Sequence, residues 1–470
     1  MKTHSKNILS LFGYDFGNRL LGFVASAYIA RVFGVDGFGT INYGMAILSF
    51  MILFASPGIH IVGTRLISQK IGDATFLVRK ITTVRFVLAV VLCIATVSAS
   101  FFFIHESELR FVVMLYALSI LPFAFQIEWF FQGKERIDVI GINRFLATAV
   151  FTIGILVFAR STLALFIVPV SFFASSLVNA TALFISMKKF PDTPDAVSNS
   201  SIGSISWRSL LKQALPIGSA GILAQIVLNL PVFLLGIFST TTEIGNYSAA
   251  SKIVFFLLAI DRAIYFLFYP LIARNFSLAP ENVPVHVHRA VRYTLIAAVP
   301  LCAGGVVLAQ PIVNFIFSKS YSDAVVLFQI LIFYFLFTIL NSIFAYVLIA
   351  GGKEKRYSAI TISISLILLA GLVAATAWWN AIGAAAIMAL GEGVMMTAMF
   401  NAMKKIVPLK NYSFVFTTLA SSLVMVAAVF ALRNYAMAAI PVGVALYCVC
   451  LIMLKELTKS DLMFLRERLV

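Results

Sequence analysis

The sequence predicts an all-α, polytopic membrane protein of about fourteen transmembrane helices, arranged as two pseudo-symmetric six-helix lobes with two further helices after them. Three observations carry that expectation. Of the 470 residues, 61% are hydrophobic and only 11% charged, whereas soluble domains are about half apolar and a quarter charged. The apolar residues gather in runs long enough to cross a bilayer. The basic residues, finally, alternate in density from one connection to the next, as cytoplasmic and external loops do. This composition excludes both a soluble globular chain and a disordered one.

A span-length window places membrane helices near 8–29, 39–59, 81–103, 109–131, 139–159, 163–186, 213–238, 243–272, 290–317, 322–350, 357–380, 381–403, 411–432 and 436–455. The first is polar in its middle, and the two that meet at Asn380 leave almost no loop between them. A signal peptide would also begin with Lys2, Lys6 and an apolar run, but Asp15, Asn18 and Arg19 interrupt that run. An uncleaved first helix is therefore expected. Of the 35 basic residues, 27 fall on one side of this scheme, five on the other and three inside spans. Under the positive-inside rule both termini are cytoplasmic. The net charge of +16 then faces an anionic leaflet and needs no nucleic acid to explain it.

The longest connection runs from Met187 to Lys212 and carries Pro191, Pro194 and a Ser/Asn-rich stretch. It reads as a cytoplasmic linker ending in a short interfacial helix around Trp207. The division expected is a six-helix lobe over 1–190, a linker over 191–212, a second lobe over 213–403, and two helices with a cytoplasmic tail over 404–470. A faint repeat agrees: Phe38-Gly39 opens one span and Ile244-Gly245 another, 206 residues later. Six spans per lobe start both lobes on the same side, as in transporters built from parallel repeats.

Cys93, Cys302, Cys448 and Cys450 lie in apolar runs without metal-ligand spacing and read as packing residues. His286 and His288 diverge on a helix, so neither a metal nor another cofactor is expected. Gly351-Gly352-Lys353-Glu354 lacks the spacing of a phosphate-binding loop. Every outer loop is short, which speaks against a membrane glycosyltransferase or a polysaccharide polymerase.

Charge inside the spans is the informative feature, because an ionisable group at the bilayer centre survives mainly in a cavity or a pair. Asp15, Asn18, Arg19 and Gly22 share one face of the first span, either lining a cavity or holding a self-neutralising Asp15–Arg19 pair. Around the axis of the eighth span, at about 100° per residue, Lys252 and Arg262 fall within about 80° of one another with Asp261 on the far side; they form a cationic wall or snorkel apart. Gly218, Gly221, Gln225 and Asn229 share a face of the seventh span that suits a polar lining or a close helix contact. Glu392 is an isolated mid-span carboxylate, a proton or cation site or a protonated structural group. Arg65, Arg144, Arg289 and Arg292 stand at the cytoplasmic mouth, where they capture an anionic headgroup or only determine topology. Glu128 reads as part of an interfacial anchor.

Trp129-Phe130-Phe131-Gln132-Gly133-Lys134-Glu135, with Phe33-Gly34-Val35-Asp36-Gly37-Phe38-Gly39, Gly63-Thr64-Arg65 and Ile244-Gly245-Asn246-Tyr247-Ser248-Ala249-Ala250, resembles the bacterial O-antigen and capsule repeat-unit flippases. These are polysaccharide transporters of the multidrug/oligosaccharidyl-lipid/polysaccharide exporter superfamily. The resemblance implies a non-enzymatic inner-membrane protein that moves an undecaprenyl-pyrophosphate-linked oligosaccharide to the periplasmic leaflet by alternating access. It also implies membrane lipids, a polysaccharide polymerase and a chain-length regulator as partners. Ion coupling, suspected in such families, would use Asp15, Asp261 or Glu392. The pyrophosphate is expected on Arg19, Lys252 and Arg262, facing one cavity between the lobes, with Asn18, Gln225 and Asn229 beside them. A drug or small-solute exporter of the same superfamily is the alternative.

Overall fold

The computed structural model describes residues 2–69, 73–160, 165–190, 207–408, 413–432 and 436–456. Among them there is no strand. Ten helical segments are long and apolar enough to cross a membrane, joined by two shorter apolar helices, Gln225–Phe238 and Ala439–Met453. Large apolar side chains stand on their outer surface: Phe102 and Phe103 are 76% and 82% exposed, which water would penalise and hydrocarbon does not. The chain is a multi-pass membrane protein. It divides into two compact units, Met1–Gly245 and Asn246–Val470.

The first unit begins with α1 (Lys2–Ala55), which joins the two expected spans 8–29 and 39–59 into one run broken at Gly34 (φ 68, ψ −173). That backbone region is open essentially to glycine alone, so the break is written into the sequence. After a turn at Gly58 come α2 (Ile59–Ser68) and α3 (Ala74–Phe103). The Asp73 carboxylate caps α3, accepting from the Thr75 N–H at 2.8 Å.

The expected span 109–131 is instead three pieces, α4 (Ser107–Leu118), α5 (Ile120–Ala124) and α6 (Glu128–Gly133). Pro122 has no N–H to continue the ladder, and the chain reopens at Phe125–Ile127. α7 (Ile137–Phe158), α8 (Ile167–Lys188) and α9 (Trp207–Phe238) complete the bundle. The interfacial helix expected around Trp207 is the start of α9, continuous with the span that follows. Residues 191–206 of the expected linker, and the tail beyond 456, lie outside the described residues.

Trp129, Phe130 and Phe131 do not form an aromatic belt. All three are buried, packing with Ile59, Val62, Leu77 and Ile81 from α2 and α3.

The unit closes on the first turn of α10 (Thr241–Leu257), which crosses α1 backbone to backbone. A Cβ on Gly39 would lie 1.8 Å from the Thr241 carbonyl oxygen, and one on Gly245 would lie 2.1 Å from that of Val35. Thr241 and Gly245 follow Val35 and Gly39 by the same 206 residues that separate Asp36 from Thr242, whose hydroxyl donates to the Asp36 carboxylate. Contacts in which i meets j′ and j meets i′ are those of a two-fold relation. The faint repeat of the sequence is thus a physical contact between its two copies.

In the second unit, Leu258 separates α10 from α11 (Ala259–Leu278), so Lys252 and Arg262 stand on two consecutive helices rather than one. α12 (Val283–Val307), α13 (Ala309–Ile316) and α14 (Ser322–Ala350) follow. α15 (Glu354–Lys404) is bent at Trp379 and Asn380 (φ 49, ψ −134), the position where the sequence makes two spans abut. α16 (Ser413–Ala431) and α17 (Ala436–Met453) pack on α12. Met425, Val429, Tyr447 and Leu451 bury there against Leu308, and the Tyr447 hydroxyl donates to the Ile296 carbonyl at 2.8 Å.

Candidate functional site

The first unit holds a half-open cavity of about 830 Å³ whose wall is drawn from α1, α2, α3, the α5–α6 break, α7, α8 and α9. Its construction starts at the broken span. Where α5 ends, the carbonyl of Gln126 lacks the helical donor that an unbroken span would supply, and that of Phe123 accepts only the Gln126 N–H of the turn, at 3.0 Å. Arg85, on α3 and 3% exposed, takes both: Nη1 donates to the Gln126 oxygen at 2.7 Å and Nη2 to the Phe123 oxygen at 3.0 Å. Its guanidinium lies 5.3 Å from the centre of the Phe123 ring, a distance that adds a cation–π attraction. A buried cation and a broken helix thereby satisfy one another.

Glu128 opens α6 and meets Arg144 from α7 in a fork, with Nε 2.9 Å from Oε1 and Nη2 bonded to Oε2. The planar guanidinium matches a carboxylate in this two-bond geometry. On α8, Ser171, Ser175, Ser176 and Asn179 recur on one buried face. The last three line the cavity, and Ser175 Oγ is anchored on the Ala147 carbonyl of α7 at 2.7 Å.

Of the residues expected from sequence, Asp15, Asn18, Arg144 and Gln225 come together in this wall. Arg19 is held beside it, its Nε 3.1 Å from Asp15 Oδ2. Asn229 donates to the Gln225 carbonyl one turn back, at 2.9 Å. Arg65 is exposed on α2. The others belong to the second unit. Lys252 is on α10, and among the described residues no carboxylate forms an ion pair with it. Asp261 and Arg262 open α11, Arg262 exposed. Arg289 and Arg292 are on α12, Arg292 5.3 Å from the Tyr293 ring centre. Glu392 on α15 accepts from Asn341 Nδ2 of α14 at 2.7 Å.

Sequence reasoning missed Arg85, His60, Gln126, Trp129 and Asn179 as lining residues, and took Glu128 for an anchor. Two signals were present. Arg85 lies inside a span that starts at 81, and the Ser/Asn stripe of α8 has helical spacing. Neither signal shows that the fourth span breaks, which is what brings Arg85 and Glu128 to one place.

Known proteins place this architecture. A curated relative, the "Putative O-antigen transporter" of Escherichia coli (strain K12), is 22% identical over 399 residues, covering 81% of this chain and 92% of its own. The fold is shared with a solved structure of "Lipid II flippase MurJ, inward closed conformation", with a TM-score of 0.75 and 15% identity over 95% of this chain and 99% of that one. It is shared also with an inward-facing multidrug resistance MATE family transporter of the MOP superfamily, with a TM-score of 0.63 and 14% identity over 83% and 94%. Residues 5–276, from α1 to within α11, match the family described as "Polysaccharide biosynthesis protein". A polar chamber walled by membrane-length helices is thus carried on a transporter fold, and the chain belongs to the polysaccharide biosynthesis protein family.

Proposed function

We propose that the chain is a flippase that carries undecaprenyl-pyrophosphate-linked oligosaccharide repeat units, of the O-antigen or capsule type, from the cytoplasmic to the periplasmic leaflet by alternating access. One observation carries the reading most: a chamber rich in amides, hydroxyls and paired charges inside a bundle of apolar membrane helices, in a member of a polysaccharide biosynthesis family. Polar surface at membrane depth is costly unless a polar guest or a partner satisfies it. A cargo whose head is a sugar chain is such a guest. The named relatives, an O-antigen transporter and a lipid II flippase, support the same cargo class. Flipping moves the substrate and leaves its covalent structure alone, so the chain acts as no enzyme.

In this proposal the protein spans the bacterial inner membrane fourteen times with both termini cytoplasmic. Arg19, Lys252 and Arg262 bind the pyrophosphate, and Asp15, Asp261 or Glu392 couples an ion. A polysaccharide polymerase and a chain-length regulator act next on the product. The likeness to multidrug transporters keeps a small-solute exporter as the second reading.

The test is the lipid-linked pool in a deletion strain. Repeat units accumulate on the cytoplasmic leaflet while their synthesis continues. If the units are never made, an enzymatic role replaces this one; if they reach the polymerase normally while a small solute is retained in the cell, the exporter reading does. Arg19→Ala and Arg262→Ala each lower transport at least tenfold with unchanged insertion, and the Lys variants recover part of it, keeping charge without the two-bond fork. Full transport by both Ala variants removes these residues from the site.

A further inference from the structure

The chamber of the first unit is balanced in charge. Among the described residues its ionisable lining is two carboxylates, Asp15 and Glu128, against two guanidinium groups, Arg85 and Arg144, with His60 beside them. Both cations already have partners, and Arg85 Nε alone of their buried donors is left without one among the described residues. Arg144 holds Glu128 in its fork, and Arg85 bridges the two carbonyls of the broken span. A doubly ionised pyrophosphate entering here would compete with the Glu128 carboxylate for Arg144 and with the Gln126 carbonyl for Arg85. The wall is therefore poorly suited to the anionic end of the cargo.

It suits the other end. Asn18, Gln126, Asn179 and Gln225 present amides, each both donor and acceptor. Phe123, Trp129 and Phe172 present rings beside them. Amides that bond hydroxyl groups in pairs, next to rings that take the C–H face of a pyranose, are the chemistry that recognises sugars.

The wall is also short of partners. Asn18 Oδ1, Asn179 Oδ1, Trp129 Nε1 and Ser56 Oγ have no hydrogen-bond partner among the described residues, whereas most buried polar atoms in folded proteins have one. A guest bearing many hydroxyls supplies acceptors and donors together. The volume of about 830 Å³ lies high in the range of roughly 300–1,000 Å³ found for ligand sites, room for a short oligosaccharide.

We infer that this chamber is a saccharide site: it takes the hydroxyl-rich oligosaccharide head of the cargo, and the pyrophosphate is bound outside its lining, to which Arg19, Lys252 and Arg262 do not belong. The inference rests on the flippase reading and deepens it.

The test uses the full chain in lipid nanodiscs, with Cys93, Cys302, Cys448 and Cys450 changed to Ala and a thiol introduced by Ser49→Cys in the wall. One probe is phosphate-free oligosaccharide released by mild acid from the host's own lipid-linked pool. The other is farnesyl pyrophosphate, which has the anion and the isoprenoid but no sugar. The oligosaccharide slows alkylation of the introduced thiol by a water-soluble maleimide at least tenfold, and farnesyl pyrophosphate leaves the rate unchanged. Adding Gln225→Ala raises the half-protecting oligosaccharide concentration about tenfold, or about 1.4 kcal/mol. Calorimetric binding of the same two probes to the unsubstituted protein gives the same order of preference. Protection by farnesyl pyrophosphate alone, or by neither probe, overturns the inference. The flippase reading fails separately, through a deletion strain whose lipid-linked pool is normal, and sugar protection would stand beside that result.

Discussion

Arg85 shows how one side chain ties stability to function. Its two Nη groups bond two carbonyls at the break between α5 and α6, and it does so at the wall of the chamber. Arg85→Ala strands the Gln126 acceptor at about 1–3 kcal/mol, while the Phe123 oxygen keeps the Gln126 N–H. The expected result is a lower unfolding midpoint of the detergent-purified protein and less of it in the membrane. Arg85→Lys, which reaches one carbonyl and not two, falls between. An unchanged midpoint for the Ala variant would show that the broken span holds its shape without the clamp. The Glu128–Arg144 fork differs in kind: the Arg144 side chain is 53% exposed, so the pair adds little to stability and serves chiefly to neutralise the wall. From sequence, Arg85 was one more flanking cation and Glu128 one more anchor. A single span carries no information about which loop's carbonyls will face it, so the partnership became visible only with the tertiary structure.

Helix existence was legible and helix continuity was not. Apolar runs of membrane length located the long helices, because burial in hydrocarbon selects for length and composition, and missed the short α2 between the spans expected at 39–59 and 81–103. The breaks depend on backbone geometry. The split at Asn380 was readable as two abutting spans, and the chain turns there through a positive φ that Asn tolerates better than most residues. The break at Gly34 was readable as the gap between the expected spans 8–29 and 39–59, but its exact residue was not, since one glycine among several looks the same in a hydropathy window. Gly34→Ala is expected to cost about 1–3 kcal/mol, measured as a lower unfolding midpoint. Gly13→Ala, at a helical position with open space around it, is expected to be neutral or mildly stabilising. Equal midpoints for the two would mean that α1 straightens when Gly34 is replaced. The pieces α4, α5 and α6 were the least readable of all, because Pro122 permits a break without dictating where the chain turns.

At the scale of the whole molecule, the alternation of basic residues predicts a topology with both termini cytoplasmic. Reporter fusions after Lys189 and after Lys405 are both expected to report cytoplasm; a periplasmic signal at either discards the orientation and the even number of spans per repeat. The membrane class and the helical fold were legible because they are averages over hundreds of residues, and the family was legible in short motifs such as Trp129–Glu135. The chamber was legible only in part: Asp15, Asn18 and Gln225 sit on polar helical faces, whereas His60, Gln126 and Trp129 come from short pieces with no periodicity to read. The repeat was a faint pair of glycines until the structure placed them in contact. That contact makes Gly39 and Gly245 two views of a single fault line. A methyl group on either one pushes apart the same two backbones, so a collection of inactive alleles should contain both glycines with matching severity, and the second lesion should add little to the first.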